Sequence, residues 1–158
     1  MKQDKVYSLT GYQCYLPIVF AGDGMMKYLL TLVAMMLALP ALAKDLSPKE
    51  LMTYQSNGVV IVDIRRAEEW KDTGIINGAE TITAFTKAGS LHPDFQAKFA
   101  GVVPNPNTPF VLYCRSGRRT GILRDALETS MGFTKAMHLS GGIVGWKKDG
   151  KNLVKFTP

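Results

Sequence analysis

An α/β domain with a mainly parallel central sheet is the fold class this sequence predicts. Two apolar runs without polar alternation, "VVIVDIR" (Val59 to Arg65) and "PFVLYC" (Pro109 to Cys114), have the composition of strands covered on both faces. Segments with helical spacing alternate with these runs. The connections are short, as in parallel sheets whose strands are joined by crossing helices.

Each element has its own signature. In "LSPKELMTYQSNG" Ser47 is placed to cap a helix, Pro48 takes the first helical position, Glu50 completes a capping box and Gly58 ends the segment. The first apolar run follows as a strand. "AEEWKDTGIINGAETI" then reads as a helical turn, a glycine turn and a short strand near Ala79 to Ile82. "HPDFQAKFAG" is helical, and "VVPNPNTP" is a connector rich in proline and asparagine. After the second strand, "RTGILRDALETSMGF" places Ile122, Leu123, Ala126, Leu127 and Met131 on one helix face and stops at Gly132. "AMHLSGGIVGW" supplies one more short strand and a glycine turn into a helical segment carrying Trp146, and the basic end "KKDGKNLVKFTP" is expected to be peripheral. No internal repeat is present, so these elements form a single module.

The first quarter of the chain has a different character. Lys27 precedes sixteen uncharged, mostly apolar residues, Tyr28 to Ala43, ending in Ala41-Leu42-Ala43. This is the pattern of a secretory signal peptide over residues 25–43, cut after Ala43, and it is short of the roughly 20 residues a spanning helix needs. Residues 1–24 fit no targeting pattern and are expected to be an upstream extension or a non-native start. The mature domain is then residues 44–158, periplasmic or secreted, with no stable membrane anchor.

That domain carries a net charge of +5, from 16 basic and 11 acidic residues. Small anions are therefore plausible partners. Nucleic acid is not expected, because the basic residues are scattered outside one loop and no stacking aromatics interleave with them. Cys14 lies upstream of the predicted cut, so Cys114 is the one thiol of the mature domain and an internal disulfide is excluded. There is no C-x-x-C for thiol–disulfide exchange. Cys114, His92 and His138 lack metal-ligand spacing, so neither a metal nor a cofactor is expected.

Cys114 ends the second strand and opens "CRSGRR". A loop that leaves the carboxyl end of a buried strand and enters a helix aims backbone N–H groups at one electropositive spot. With Arg115, Arg118 and Arg119 beside it, a thiolate on Cys114 is stabilised, and the residue is expected to be nucleophilic. The alternative, an inert core thiol that ends a strand, fits less well, because three arginines and Gly117 behind it are poor core material.

"CRSGRR" resembles the C-R-x-G-x-R/T active loop of rhodaneses, the sulfurtransferase family. "IVDIRRAEEWKDTGIINGA" and "HLSGGIVGW" resemble further stretches of that family in order and spacing, so the resemblance covers residues 45 to 150, with Ile75 standing where many members have histidine. It implies a three-layer rhodanese-like domain with helices flanking the sheet. It also implies a reaction: Cys114 takes the outer sulfur of a donor, holds it as a persulfide and passes it to cyanide, a thiol or a sulfur-acceptor protein. The backbone of Arg115, Ser116, Gly117, Arg118 and Arg119 would cradle the charged sulfur. Arg115 is the candidate to hold an anionic donor. Mercaptopyruvate-specific relatives usually carry a small uncharged residue there, so Arg115 favours thiosulfate or a polysulfide.

Other residues read as structural: Asp63 and Arg65 as partners beside the loop, Trp70 and Trp146 as core or rim, and His92 and His138 as neither acid nor base. Two rival functions remain. Dual-specificity phosphatases and arsenate reductases of the same architecture need a longer C-x5-R loop, whose arginine would fall where Thr120 stands. A persulfide carrier or sensing module would hold sulfur without turning it over.

Overall fold

The two unbroken apolar runs become the middle of the sheet. Strand β2 (Val60–Asp63) lies parallel to β4 (Phe110–Tyr113), and Val60, Ile61, Val62 and Asp63 are in register with Phe110, Val111, Leu112 and Tyr113. Beyond β4 come β5 (Ala136–Leu139) and the two-residue β1 (Asp45–Leu46); on the other side of β2 lies β3 (Glu80–Thr81). The order is β1-β5-β4-β2-β3, every neighbouring pair parallel. The computed structural model describes residues 45–158. The predicted signal peptide, the extension at residues 1–24, Cys14 and the cut after Ala43 lie outside the described residues.

Among the described residues four helices connect these strands, α1 (Pro48–Ser56), α2 (Ala67–Thr73), α3 (Phe95–Val102) and α4 (Arg118–Met131), and a fifth, α5 (Gly142–Lys148), follows β5. The capping box forms as predicted, Glu50 N–H donating to Ser47 Oγ at 3.3 Å and Ser47 N–H to Glu50 Oε2 at 2.9 Å. Alternation along β4 feeds two cores. Phe110, Leu112 and Cys114 point to the face covered by α3 and α4, while Val111 and Tyr113 point to the face covered by α1 and α5. The first core holds Phe95, Phe99, Phe110 and Phe133, with Phe99 centred 5.3, 5.2 and 5.6 Å from the other three rings. The three-layer α/β arrangement is thus the one expected.

Two features go beyond expectation. β1 is too short to carry a periodic signal. The basic end lies at the surface, as expected, but is fastened there: Ile75 and Val154 exchange backbone hydrogen bonds of 2.9 Å each way, Trp146 Nε1 donates to Asn152 O at 2.9 Å, and Phe156 packs on Trp70 with ring centres 5.3 Å apart. Apolar Leu153, Val154 and Phe156 alternate with charge too briefly to read as a strand, yet they seal the edge beside α2. Ile75 therefore has a pairing role.

Because the chain runs outward through β2 and β3 before returning to β4, the strand order reverses between β2 and β4. Crevices at the carboxyl ends of strands open at such a reversal. Cys114 leaves β4 at this place.

Candidate active site

Cys114 is 1% exposed and sits directly beyond the last residue of β4. Its carbonyl oxygen accepts from Ile143 N–H at 2.9 Å, and that of Arg115 accepts from Val144 N–H at 3.1 Å. Both carbonyls are thus turned toward the start of α5. Gly142 allows this approach: its φ is +55°, and a Cβ there would lie 2.7 Å from the carbonyl carbon and oxygen of Arg115 and collide with the oxygen of Cys114. The N–H groups of Arg115 through Thr120 donate to no backbone carbonyl among the described residues. Together with the first turn of α4, they leave unpaired donors and the positive end of the helix dipole in the loop that follows Cys114. Gly117, at φ +87°, makes the turn into that helix.

The three arginines have separate tasks. Arg115 is exposed and lines a cleft of about 450 Å³ with Arg66, Val144 and Lys147. Arg118 and Arg119 line a second cleft of about 320 Å³ with Arg66 and Lys87. Arg119 is committed: its Nη1 and Nη2 donate to Glu69 Oε2 and Oε1 at 2.8 and 2.7 Å. That pairing, with a smaller contribution from the sulfur of Cys114, raises the Arg119 pKa. Burial opposes ionisation of Glu69, but the hydrogen bonds from Arg119 and from Arg66 N–H outweigh it and hold the carboxyl below its ordinary value. Ser116 is exposed at the tip of the loop.

Asp63 and Arg65 are structural neighbours of the loop, as predicted. The Arg65 guanidinium is buried and donates to Asp63 at 2.7 Å, to Gly74 O at 2.7 Å and to Thr73 Oγ1 at 2.6 Å, fastening β2 to α2. Tyr113 Oη accepts from Ile76 N–H at 3.0 Å, and burial beside Asp63 pushes its hydroxyl upward. Trp70 and Trp146 are buried. His92 Nδ1 accepts from Asp94 N–H at 3.2 Å, before α3.

Thr120 was read from sequence only as the residue that breaks the phosphatase pattern. In the structure it is fully buried, its Oγ1 lying 3.7 Å from Cys114 Sγ, 2.8 Å from Gly117 O and 3.1 Å from His138 Nδ1. His138 Nε2 in turn lies 2.7 Å from Asp45 Oδ1. Thr120 stands three residues after the turning glycine, in the first turn of α4, and that position directs its side chain back under the loop. This spacing was the available signal.

A parallel α/β domain organised around a cysteine at the mouth of a short cationic loop is the class that fold and site define. The chain belongs to the family described as Rhodanese-like domain, which it matches over residues 47–149. Among curated proteins it is similar to the probable adenylyltransferase/sulfurtransferase MoeZ of Mycobacterium tuberculosis, 34% identical over 110 residues that make up 68% of this chain and 26% of that one. Two solved structures share the fold. One is a thiosulfate sulfurtransferase from Pseudomonas aeruginosa, TM-score 0.58 at 22% identity, covering 73% of this chain and 21% of the other. The second is a Rhodopseudomonas palustris protein of unknown function described as a possible tyrosine phosphatase, TM-score 0.51 at 25% identity, covering 70% and 84%.

Proposed function

We propose that this domain is a sulfurtransferase that moves sulfane sulfur from thiosulfate or a polysulfide to a thiophilic acceptor through a persulfide on Cys114. The observation that carries this reading is the cationic loop itself: the carbonyls of Cys114 and Arg115 are bonded to the start of α5, and the N–H groups of Arg115 through Thr120 have no backbone acceptor among the described residues. In the first half-reaction the Cys114 thiolate attacks the outer sulfur of thiosulfate. The S–S bond of the donor breaks, its electron pair leaves with sulfite, and the cysteine retains the sulfur as an anionic persulfide. In the second, cyanide or a thiolate attacks that outer sulfur and the electron pair returns to Cys114. Arg115, at the cleft, binds the anionic end of the donor. The sulfurtransferase names of MoeZ and of the Pseudomonas protein support the reaction class.

The possible phosphatase name of the Rhodopseudomonas protein favours a second reading. Against it stand loop length and Arg119. A phosphate-wrapping loop requires a free arginine at position 120, but Thr120 is there, buried, and Arg119 is held by Glu69. Turnover with thiosulfate and cyanide, run beside an aryl phosphate assay, decides between them: thiocyanate without phosphate release is expected, and phosphate release lost in Cys114→Ser reverses the order. Sulfur loading without turnover would identify a carrier or sensing module instead. The pattern of residues 25–43 supports export of the domain, which would place it in the periplasm or outside the cell.

A further inference from the structure

His138 is buried, 8% exposed, and has no part in the reaction drawn above. The parallel register of β1 and β5 sets Asp45 directly opposite His138. Asp45 Oδ1 lies 2.7 Å from His138 Nε2 and accepts from Arg124 Nη1 at 2.6 Å. On the other side of the ring, Nδ1 lies 3.1 Å from Thr120 Oγ1, itself 3.7 Å from Cys114 Sγ. Four side chains from β1, β5, α4 and the end of β4 are thus joined in one line running from the protein surface to the sulfur.

The direction of each hydrogen bond is constrained by what its atoms can do. Burial opposes ionisation of Asp45, yet hydrogen bonds from Arg124 and His138 outweigh it and hold the carboxyl below its ordinary value, so near neutrality Asp45 only accepts. His138 Nε2 must then carry a hydrogen. Nδ1 is the nitrogen that can change role: the single Thr120 hydrogen can turn to it when the ring is neutral, and goes to Gly117 O, 2.8 Å away, when the ring is a cation and donates to Thr120 Oγ1. The groups facing the ring are Thr120 and Gly121 of α4, with Asp45 of β1. Arg124 reaches it through Asp45 and is also paired with Asp125.

Arg115, Arg118 and Arg119 are cations, and the carboxylate of Glu69 is taken up by Arg119.

We propose that Thr120, His138 and Asp45 form an internal proton path for Cys114. The Cys114 S–H bond breaks as its proton passes to Thr120 Oγ1, the original Thr120 proton passes to His138 Nδ1, and the result is a thiolate and an imidazolium. No atom is gained or lost, and the new positive charge faces the Asp45 carboxylate. Reversed, the path returns a proton to the sulfur. Thr120 touches the reacting atom; His138 and Asp45 act through it as positioning residues. The proposal rests on Cys114 being the reacting group and is independent of the donor.

The test is alkylation of Cys114 by iodoacetamide in the full chain, read by mass spectrometry at the Cys114 peptide, for the native protein, Thr120→Val, Thr120→Ser and His138→Gln. Folding of each is checked by thermal unfolding. Thr120→Val and His138→Gln, which lose the imidazolium that balances the thiolate, should react about tenfold more slowly than native at about pH 6, with the deficit closing by about pH 9, where an ordinary thiol is largely ionised without help. Thr120→Ser, which keeps the hydroxyl, should follow the native profile. A deficit equal at every pH, or none, overturns the proposal. Thiosulfate loading of the same samples separates the two readings: the expected alkylation pattern with no sulfur taken up leaves the proton path standing and rejects sulfur transfer.

Discussion

Gly142→Ala should damage the reactive loop more than it damages the fold. Alanine at φ +55° costs about 1 kcal/mol in backbone strain. The new Cβ would lie 2.7 Å from the carbonyl carbon and oxygen of Arg115 and closer still to the oxygen of Cys114, where ordinary contact begins at 3.4 Å, so the loop must withdraw by more than about 0.7 Å. That displacement weakens the bonds from Ile143 N–H and Val144 N–H to the loop carbonyls, each contributing about 1 kcal/mol. The total is a loss of about 3 kcal/mol. A misplacement approaching 1 Å at a reacting atom lowers turnover about a hundredfold. Gly132→Ala is the control: its φ of +74° imposes similar strain, but nothing lies within 4 Å of the added Cβ. Urea unfolding and thiosulfate–cyanide turnover should show both variants destabilised, Gly142→Ala by about 2 kcal/mol more, with turnover lost only in Gly142→Ala. Native turnover in a folded Gly142→Ala would refute the claim that this contact shapes the loop.

Glu69→Gln tests the strut to Arg119. Because the folded carboxyl ionises below its ordinary value, the pair stabilises fully above about pH 4.3 and is lost as pH falls through the lower folded value. Native protein should therefore lose more stability than Glu69→Gln between about pH 7 and about pH 3 in urea unfolding; parallel losses would reject the assignment. Arg115→Ala should raise KM for thiosulfate about tenfold and leave the cyanide step unchanged, as measured by steady-state kinetics varying each substrate in turn. Expressed in a Gram-negative bacterium, the chain should be recovered from the periplasm with Lys44 as its N-terminus on Edman sequencing, whereas an uncleaved cytoplasmic chain would reject export.

What could be read from the residues was local. The capping box at Ser47 and Glu50, the doubly covered strands at Val60–Asp63 and Phe110–Tyr113, and the glycine stops depend on neighbours within a few positions. So did the chemistry of the cysteine loop. The contacts that spacing did not disclose join distant residues: Arg119 to Glu69, His138 to Asp45, Val154 to Ile75. Periodicity reports which residues form a strand but not which strand lies beside it, and in a parallel sheet every partner is remote in sequence. β1 shows the consequence. Two residues are too few for a pattern, yet their register with β5 sets a carboxylate against a buried histidine.

Intact-mass spectrometry after incubation with thiosulfate tests the central claim most directly. The native protein should gain the mass of one sulfur atom, removable by cyanide with release of thiocyanate, and Cys114→Ser should gain none. No added sulfur on the native protein, under conditions that load an established sulfurtransferase, or an equal gain on Cys114→Ser, would contradict the account.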